Sequence, residues 1–308
     1  MSEQIEQRVR TGARKQAASG ELAVPDERSG PSKQAPPKMD VVPVRHWGRG
    51  IGATIVVLLL VLAVAELATN PNFEWSVVGQ YLIDANVLKG LLLTLEMTVI
   101  GMVLSLVLAL LIGVMRTSAS RIIAGFAAAW VFVFRGVPLI VLLIILGNLG
   151  LFVQQFRIGV PFTDITWWSV AAKDVITPFW ASVLGLALAG SGYMAEIVRA
   201  GLLSIGRGQH EAAKALGLNA AGTLRHIVLP QALRVIIPPL GNEFIGMLKA
   251  SAIVSVIAGG DLLTVVLGIS GLNFRTIEML IVATTWYLLV IAIFSIVQVF
   301  LERRTAER

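Results

Sequence analysis

The chain has no cysteine, which excludes disulfides, thiolate metal sites and cysteine nucleophiles. Charge is also scarce: Asp, Glu, Lys and Arg make up 14% of the 308 residues, against about 25% in a typical soluble domain. The three histidines, His46, His210 and His226, lie outside the long apolar runs. These shortages disfavour a soluble enzyme, and we expect no metal site.

Apolar residues are abundant instead, at 56% of the chain, with a mean hydropathy of +0.79. Uncharged runs of 19, 21 and 23 residues cover Met97–Met115, Gly136–Phe156 and Met279–Leu301. A transmembrane helix needs about 20 mostly apolar residues. The sequence therefore predicts an all-α fold, a polytopic bundle of membrane helices.

Residues 1–46 contrast with this pattern, because they contain five of the twelve prolines and no aromatic residue. Such a segment buries too little apolar surface to offset the entropy of ordering, so we predict a disordered cytoplasmic tail; a docking peptide for a partner is the alternative. Six transmembrane helices are predicted after the tail, at about residues 47–68, 87–115, 138–152, 178–200, 238–258 and 278–300. Before the third, residues 121–134 are expected to form an interfacial helix that ends at the Gly136-Val137-Pro138 break.

The basic residues give the orientation. Nineteen of the 25 Lys and Arg residues fall on one side of the six-helix arrangement. Four fall on the other side: Lys89, Arg157, Lys173 and Arg275. By the positive-inside rule both termini are predicted to be cytoplasmic, and the basic excess reflects topology, not binding of nucleic acid.

The largest cytoplasmic loop, residues 202–237, carries a local pattern of two helices. Good helix formers occupy Gln209–Leu216, Gly217 is a natural C-terminal stop, and Asn219 can cap a second helix that runs to about Leu229, before Pro230. On physical grounds alone this could be an ordinary loop helix that packs on its own bundle.

The loop also carries a spaced motif. Its fixed positions are Glu211, Ala212, Ala213, Gly217, Ile227, Leu229 and Pro230, in the order EAA, three residues, G, nine residues, I-x-LP. This motif resembles the EAA loop of permeases in bacterial ABC importers. Flanking stretches such as Arg135-Gly136-Val137-Pro138-Leu139 and Pro230-Gln231-Ala232-Leu233-Arg234 are similar to the polar amino acid uptake branch of that family. The resemblance covers residues 87–302, and leaves the helix at 47–69 outside the shared permease domain.

The resemblance implies an ABC importer type I permease fold with a cytoplasmic coupling helix at Glu211–Leu216. It also implies a second permease subunit in a homo- or heterodimer, a dimer of ABC ATPase subunits, and a periplasmic or extracytoplasmic solute-binding protein that delivers an amino acid. The expected location is the lipid bilayer of the bacterial cytoplasmic (inner) membrane. No G-x-x-x-x-G-K-[ST] phosphate loop occurs in the chain. ATP and Mg are therefore expected on the partner ATPase, no cofactor is expected here, and the subunit is not expected to be an enzyme.

Few ionisable residues lie deep in the predicted spans, and such residues are candidates for a substrate path. Glu96 and Lys249 fall ~14 and ~17 Å into their helices, and Asn242 lies on the same face as Lys249. We predict that these three residues flank the path of the substrate; a plain ion pair between Glu96 and Lys249 is the alternative. Glu196 and Arg199 are expected to pair near the cytoplasmic end of their helix.

Two other classes of membrane protein are alternatives. A membrane-embedded enzyme would need a midplane cluster of aspartates or metal-spaced histidines, and the sequence has no such cluster. A secondary transporter, which works without an ATPase, is the main alternative, although two matched halves are not evident among the six predicted helices.

Overall fold

A computed structural model describes residues 47–71, 73–159 and 165–306. The predicted tail, residues 1–46, lies outside the described residues. The chain divides into two units at Val64 and Ala65, and each is described by itself. Helix α1 covers Trp47–Thr69 and so runs across the boundary between the two units. The sequence predicted the first transmembrane helix at this place.

The second unit is mainly helical. Its helices are α2 (Trp75–Leu82), α3 (Ala85–Arg116), α4 (Arg121–Gly136), α5 (Leu139–Gly147), α6 (Leu149–Phe152), α7 (Ala172–Val175), α8 (Pro178–Leu203), α9 (Arg207–Ala215), α10 (Ala220–Thr223), α11 (Leu229–Ala250), α12 (Leu262–Asn273) and α13 (Thr276–Ala306). A π-helical turn at Leu224–Val228 joins α10 to α11, and a 3-10 helix at Ser251–Ile257 follows α11. Strands β1 (Gln155–Gly159) and β2 (Thr166–Ala171) lie between α6 and α7.

Helices α3 and α8 form the most extensive helix pair in the second unit. Small residues at their interface bring the two backbones together, since a Cβ built on Gly113 would lie 2.7 Å from Cγ1 of Val198 and one on Gly190 would lie 2.6 Å from Oγ of Ser105. Close approach through small residues is how helices pack in a membrane, where the hydrophobic effect does not drive them together. This pair is therefore the centre of the bundle.

The predicted break before the third span is present. Val137 is extended, Pro138 precedes α5, and the axes of α4 and α5 differ by 95°. The helix predicted over residues 138–152 is interrupted, however, by a turn at Asn148 between α5 and α6. Helix α5 has nine residues, about 14 Å, and cannot cross a ~30 Å hydrocarbon core alone.

The all-α prediction missed a small antiparallel hairpin of β1 and β2. Phe156 pairs with Val170, and Ile158 pairs with Trp168. These aromatic and β-branched residues favour strands. The partners in these two pairs lie 14 and 10 residues apart, however, and the search for helical periodicity gave no sign of them.

The predicted start of the fifth span at Pro238 was also wrong. Helix α11 runs without interruption from Leu229 to Ala250 and contains both Pro238 and Pro239. The turn before the prolines is buried, with Ala232 and Ile236 packed against Val198 of α8. Burial of this turn stabilises its helical form. This stabilisation offsets the loss of the backbone hydrogen bonds that the prolines cannot donate.

Among the described residues, four helical segments are long and apolar enough to cross a membrane: α3, α8, α13 and the continuous segment at residues 220–257. The bent pair α4–α5 provides a fifth span if it counts as one. The remaining span that the sequence predicted is the first one, α1. Its described apolar run, Ile51–Glu66, is shorter than the other spans. A membrane helical bundle, as predicted, is thus the architecture that positions the loop below it.

Candidate functional site

Helix α9 ends at the glycine that the motif singled out. Gly217 has φ +76°, a left-handed conformation that favours glycine because it lacks a Cβ. The amide of Gly217 donates to the carbonyl of Lys214 (2.9 Å), and the amide of Leu218 donates to that of Ala213 (3.0 Å). These two bonds form a Schellman motif, which satisfies carbonyls that the helix end leaves free.

The second half of the loop begins with the predicted cap. The side chain of Asn219 accepts a hydrogen bond from the amide of Gly222 at 2.8 Å. The chain then continues through the π-helical turn directly into α11, so Pro230 does not end a helix as expected but stands in the first turn of one. Within this stretch Ile227 is half-buried, whereas Leu229 and Pro230 are exposed.

The motif gives α9 one buried and one open side. Ala213 is 1% exposed and faces the protein, whereas Glu211 and Ala212 are exposed. Leu216, in the turn that ends the helix, is 79% exposed. A thin alanine surface with an uncovered leucine at its end is the type of surface that another protein can cover.

The loop is joined firmly to the end of α8. A Cβ on Gly201 would lie 2.2 Å from Cγ1 of Ile236 and 3.4 Å from the carbonyl oxygen of Ala232. The C-terminal end of α8 and the first turns of α11 therefore lie in close contact. A packed interface of this kind deforms little, so the second half of the loop is held against the end of α8.

An ion cluster lies near the same end of α8. Glu196 accepts from Nε of Arg199 at 2.8 Å, which is the predicted pair. It also binds Arg116, the last residue of α3, at 3.3 Å. The sequence did not indicate the second pair, because Arg116 and Glu196 are 80 residues apart. Together the three residues link α3 to α8 above the loop.

The predicted path residues lie on the surface of this single subunit. Glu96, Asn242 and Lys249 are all exposed. Within the part of the chain that the structure describes, no ion pair joins Glu96 to Lys249. Asn242 accepts a hydrogen bond from Nε2 of Gln298 on α13 at 2.8 Å.

A second ion cluster lies at the opposite end of the bundle. Arg275 binds both Glu74 and Glu278, the latter at 3.8 Å, and so ties the segment before α2 to the start of α13. No group of three or more His, Asp or Glu residues in the described ranges could hold a metal ion.

These features define a multi-helix membrane subunit with an exposed loop that is packed against the end of α8. The chain belongs to the family of binding-protein-dependent transport system inner membrane components, which matches residues 101–307. The prediction from the EAA motif is thereby confirmed.

Several proteins of this kind are similar to the chain. It is 37% identical to the arginine transport system permease protein ArgU of Corynebacterium glutamicum, over 89% of this chain and 85% of the relative. It is 32% identical to the glutamine transport system permease protein GlnP of Escherichia coli, over 76% of this chain and 98% of the relative. It is also 32% identical to the arginine transport system permease protein ArtQ of Bacillus subtilis, over 71% and 91%.

Solved structures agree. A crystal structure of an amino acid ABC transporter with histidines superposes with a TM-score of 0.63 at 32% identity, and covers 76% of this chain and 99% of that chain. The inward-facing MetNI methionine ABC transporter superposes with a TM-score of 0.53 at 20% identity, which supports the fold alone. The predicted type I permease fold is confirmed.

Proposed function

We propose that this chain is the transmembrane permease subunit of an ATP-driven ABC importer that moves a polar or charged amino acid into the cytoplasm. The observation that carries the proposal is the family membership together with the intact EAA loop on α9. Amino acid cargo is supported by the relatives, whose names specify arginine and glutamine transport.

In this proposal α9 is the coupling helix, which inserts into a dimer of ABC ATPase subunits. The exposed Glu211, Ala212 and Leu216 form the contact, and Gly217 sets the direction in which the chain leaves it. ATP and Mg bind to the ATPase, and the permease itself carries no cofactor. Movement of α9 reaches the membrane through the close contact of Gly201 with Ile236.

The exposed charges on the membrane helices support a second permease subunit. Glu96 and Lys249 lie within spans and have no ionic partner in the described part of this subunit. A charge inside a bilayer faces a protein interior or a water-filled cavity, not lipid. We infer that a second permease subunit covers this face, and that Glu96, Lys249 and Asn242 flank a path between the two. Glu96 then accepts from a substrate ammonium, and Lys249 donates to a carboxylate.

Uptake in proteoliposomes tests this path. The complete transporter, with its ATPase and solute-binding protein, is assayed with Glu96→Gln, with Lys249→Met, and with Lys89→Met as the matched control. Lys89 is also exposed, but it lies in the first turns of α3. We expect both path variants to assemble but to lose amino acid uptake, and the control to transport normally.

Two results would contradict the proposal. Unchanged affinity and selectivity in Glu96→Gln or Lys249→Met would make that residue structural. Amino acid uptake by this chain alone, without ATP or an ATPase, would favour the secondary transporter.

The orientation is also proposed, with both termini in the cytoplasm and the solute-binding protein on the outer side. The nineteen-to-four asymmetry of basic residues supports it. The chain has no native cysteine, so single thiols can be labelled without background. We expect Ser169→Cys in β2 to react with an impermeant reagent in intact cells, and Ala221→Cys in the loop to react only after lysis. The reverse pattern would refute the orientation.

A further inference from the structure

A cavity of about 750 Å³ lies between the EAA loop and the cytoplasmic ends of two membrane helices. Its upper wall includes Thr117, which directly follows α3, and Leu203, the last residue of α8. The cavity therefore opens at the level where the spans end. In the proposed orientation this is the headgroup level of the cytoplasmic leaflet.

One wall of the cavity is basic. Arg207, His210 and Lys214 line it from α9, and their spacing of three and four residues places them on one face of the helix. Among the described residues, no carboxylate lines the cavity. In the part of the chain that the structure describes, Arg207 and Lys214 form no ion pair, so both charges are available to an anion.

The rest of the lining is mainly apolar, apart from Thr117 and Thr223. Leu203, Leu218 and Leu224 line the cavity, and Val228 below them is 4% exposed. A free inorganic anion gains nothing from such walls. A molecule that joins an anionic head to an apolar chain uses both, and the anionic phospholipids of the cytoplasmic leaflet have this chemistry.

We propose that this cavity binds the headgroup of an anionic phospholipid. The phosphodiester lies against Arg207 and Lys214, and the glycerol end of the acyl chains lies against the leucines. The bound lipid then bridges α9 to the ends of α3 and α8. This proposal does not depend on the substrate or on the ATPase.

The lipid face and the proposed docking face are different sides of α9. At 100° per residue, Arg207, His210 and Lys214 cluster within about 60° of the helix circumference. On the same geometry Ala212 and Leu216 lie about 120° or more from each of them, whereas Glu211 lies about 40° from Arg207, at the border between the two faces. An ATPase can therefore contact the outer side of α9 while the lipid occupies the inner side.

Native mass spectrometry of the full-length chain in detergent tests the proposal. Phosphatidylglycerol is titrated against phosphatidylcholine for the wild type, for the double variant Arg207→Gln/Lys214→Gln, and for the control Arg225→Gln/Arg304→Gln. The control removes two exposed cytoplasmic-side charges that do not line the cavity. Neutralising a cation near an anionic lipid lowers affinity about fivefold.

We expect the wild type to retain phosphatidylglycerol in preference to phosphatidylcholine. The double variant should bind phosphatidylglycerol about 25-fold more weakly, the single variant Arg207→Gln about fivefold more weakly, and the control within about twofold of the wild type. The charge-conserving Arg207→Lys/Lys214→Arg should retain the preference, which separates loss of charge from loss of fold.

Three outcomes would overturn the proposal. The first is equal retention of the two lipids by the wild type. The second is an equal loss in the double variant and in the control. The third is displacement of phosphatidylglycerol by millimolar inorganic phosphate, which would make the cavity a site for a free anion.

Discussion

The α3–α8 pair and the EAA loop use glycine for opposite reasons. At Gly113 in α3 there is no space for a side chain, because a Cβ would lie 2.7 Å from Val198 and 3.1 Å from the backbone oxygen of Ala195. At Gly217 nothing lies within 4 Å, and the requirement is the left-handed φ of +76°. The first glycine serves the packing between two helices, whereas the second serves the path of the chain itself.

This difference separates a rigid body from an interaction surface. The membrane pair is stabilised by contacts between segments about 80 residues apart, and its interface is buried. The loop is stabilised by its own caps at Gly217 and Asn219, and most of α9 remains exposed. A segment that holds its shape without being buried keeps its surface available for another chain.

The largest effect is expected when the packed glycine is replaced. Gly113→Val forces two β-branched side chains into the space of one, and overpacking of this kind costs about 1–3 kcal/mol or more. We expect a loss of folded protein and a lower unfolding temperature in detergent. Gly125→Val in α4, where nothing lies within 4 Å, is the control and should be well tolerated. Equal stability of the two variants would show that α3 and α8 are not packed as closely as described.

A smaller effect, on transport, is expected at the loop. Gly217→Val costs about 1–2 kcal/mol in the left-handed region, a factor of about 5–30 in the population of the native turn. We expect uptake to fall by a similar factor while the protein still inserts and folds. Gly217→Asn, which tolerates this conformation, should restore most of the uptake. Normal uptake by the valine variant would separate this turn from coupling.

The smallest effect is expected at the ion cluster that joins the two regions. Glu196 is partly buried, and it binds Arg116 across helices and Arg199 within α8. Glu196→Gln should lower stability by about 1 kcal/mol, since partly exposed ion pairs contribute little. A double-mutant cycle with Arg116→Ala measures the interhelical share. A coupling energy of zero would mean that the α3–α8 link relies on packing alone.

Features that depend on neighbouring residues were readable from the sequence. The stop at Gly217, the cap at Asn219, the break at Pro138 and the local pair of Glu196 with Arg199 all follow from short-range chemistry, and the structure contains each of them. The motif spacing in the loop likewise indicated the family before any fold was known.

Features that depend on distant residues were missed or misjudged. Pro238 was expected to start a helix, but α11 passes through it because the preceding turn is buried against α8. The hairpin of β1 and β2 and the pair of Arg116 with Glu196 both need a partner that local patterns do not identify. The exposure of Glu96 and Lys249 was likewise not readable, since depth in a helix does not determine the face that a side chain occupies in the bundle.

The sequence alone thus determined the membrane class, the helical content, the position of the loop and the backbone devices that shape it. Each of these rests on hydropathy, on φ preferences or on hydrogen bonds that span a few residues. Only the tertiary structure decided which prolines interrupt a helix, which arginine completes the Glu196 cluster, and which side of α9 faces a cavity. Those outcomes depend on contacts between segments far apart in the chain. The free energies of these contacts outweigh the local conformational preferences that can be read from the sequence.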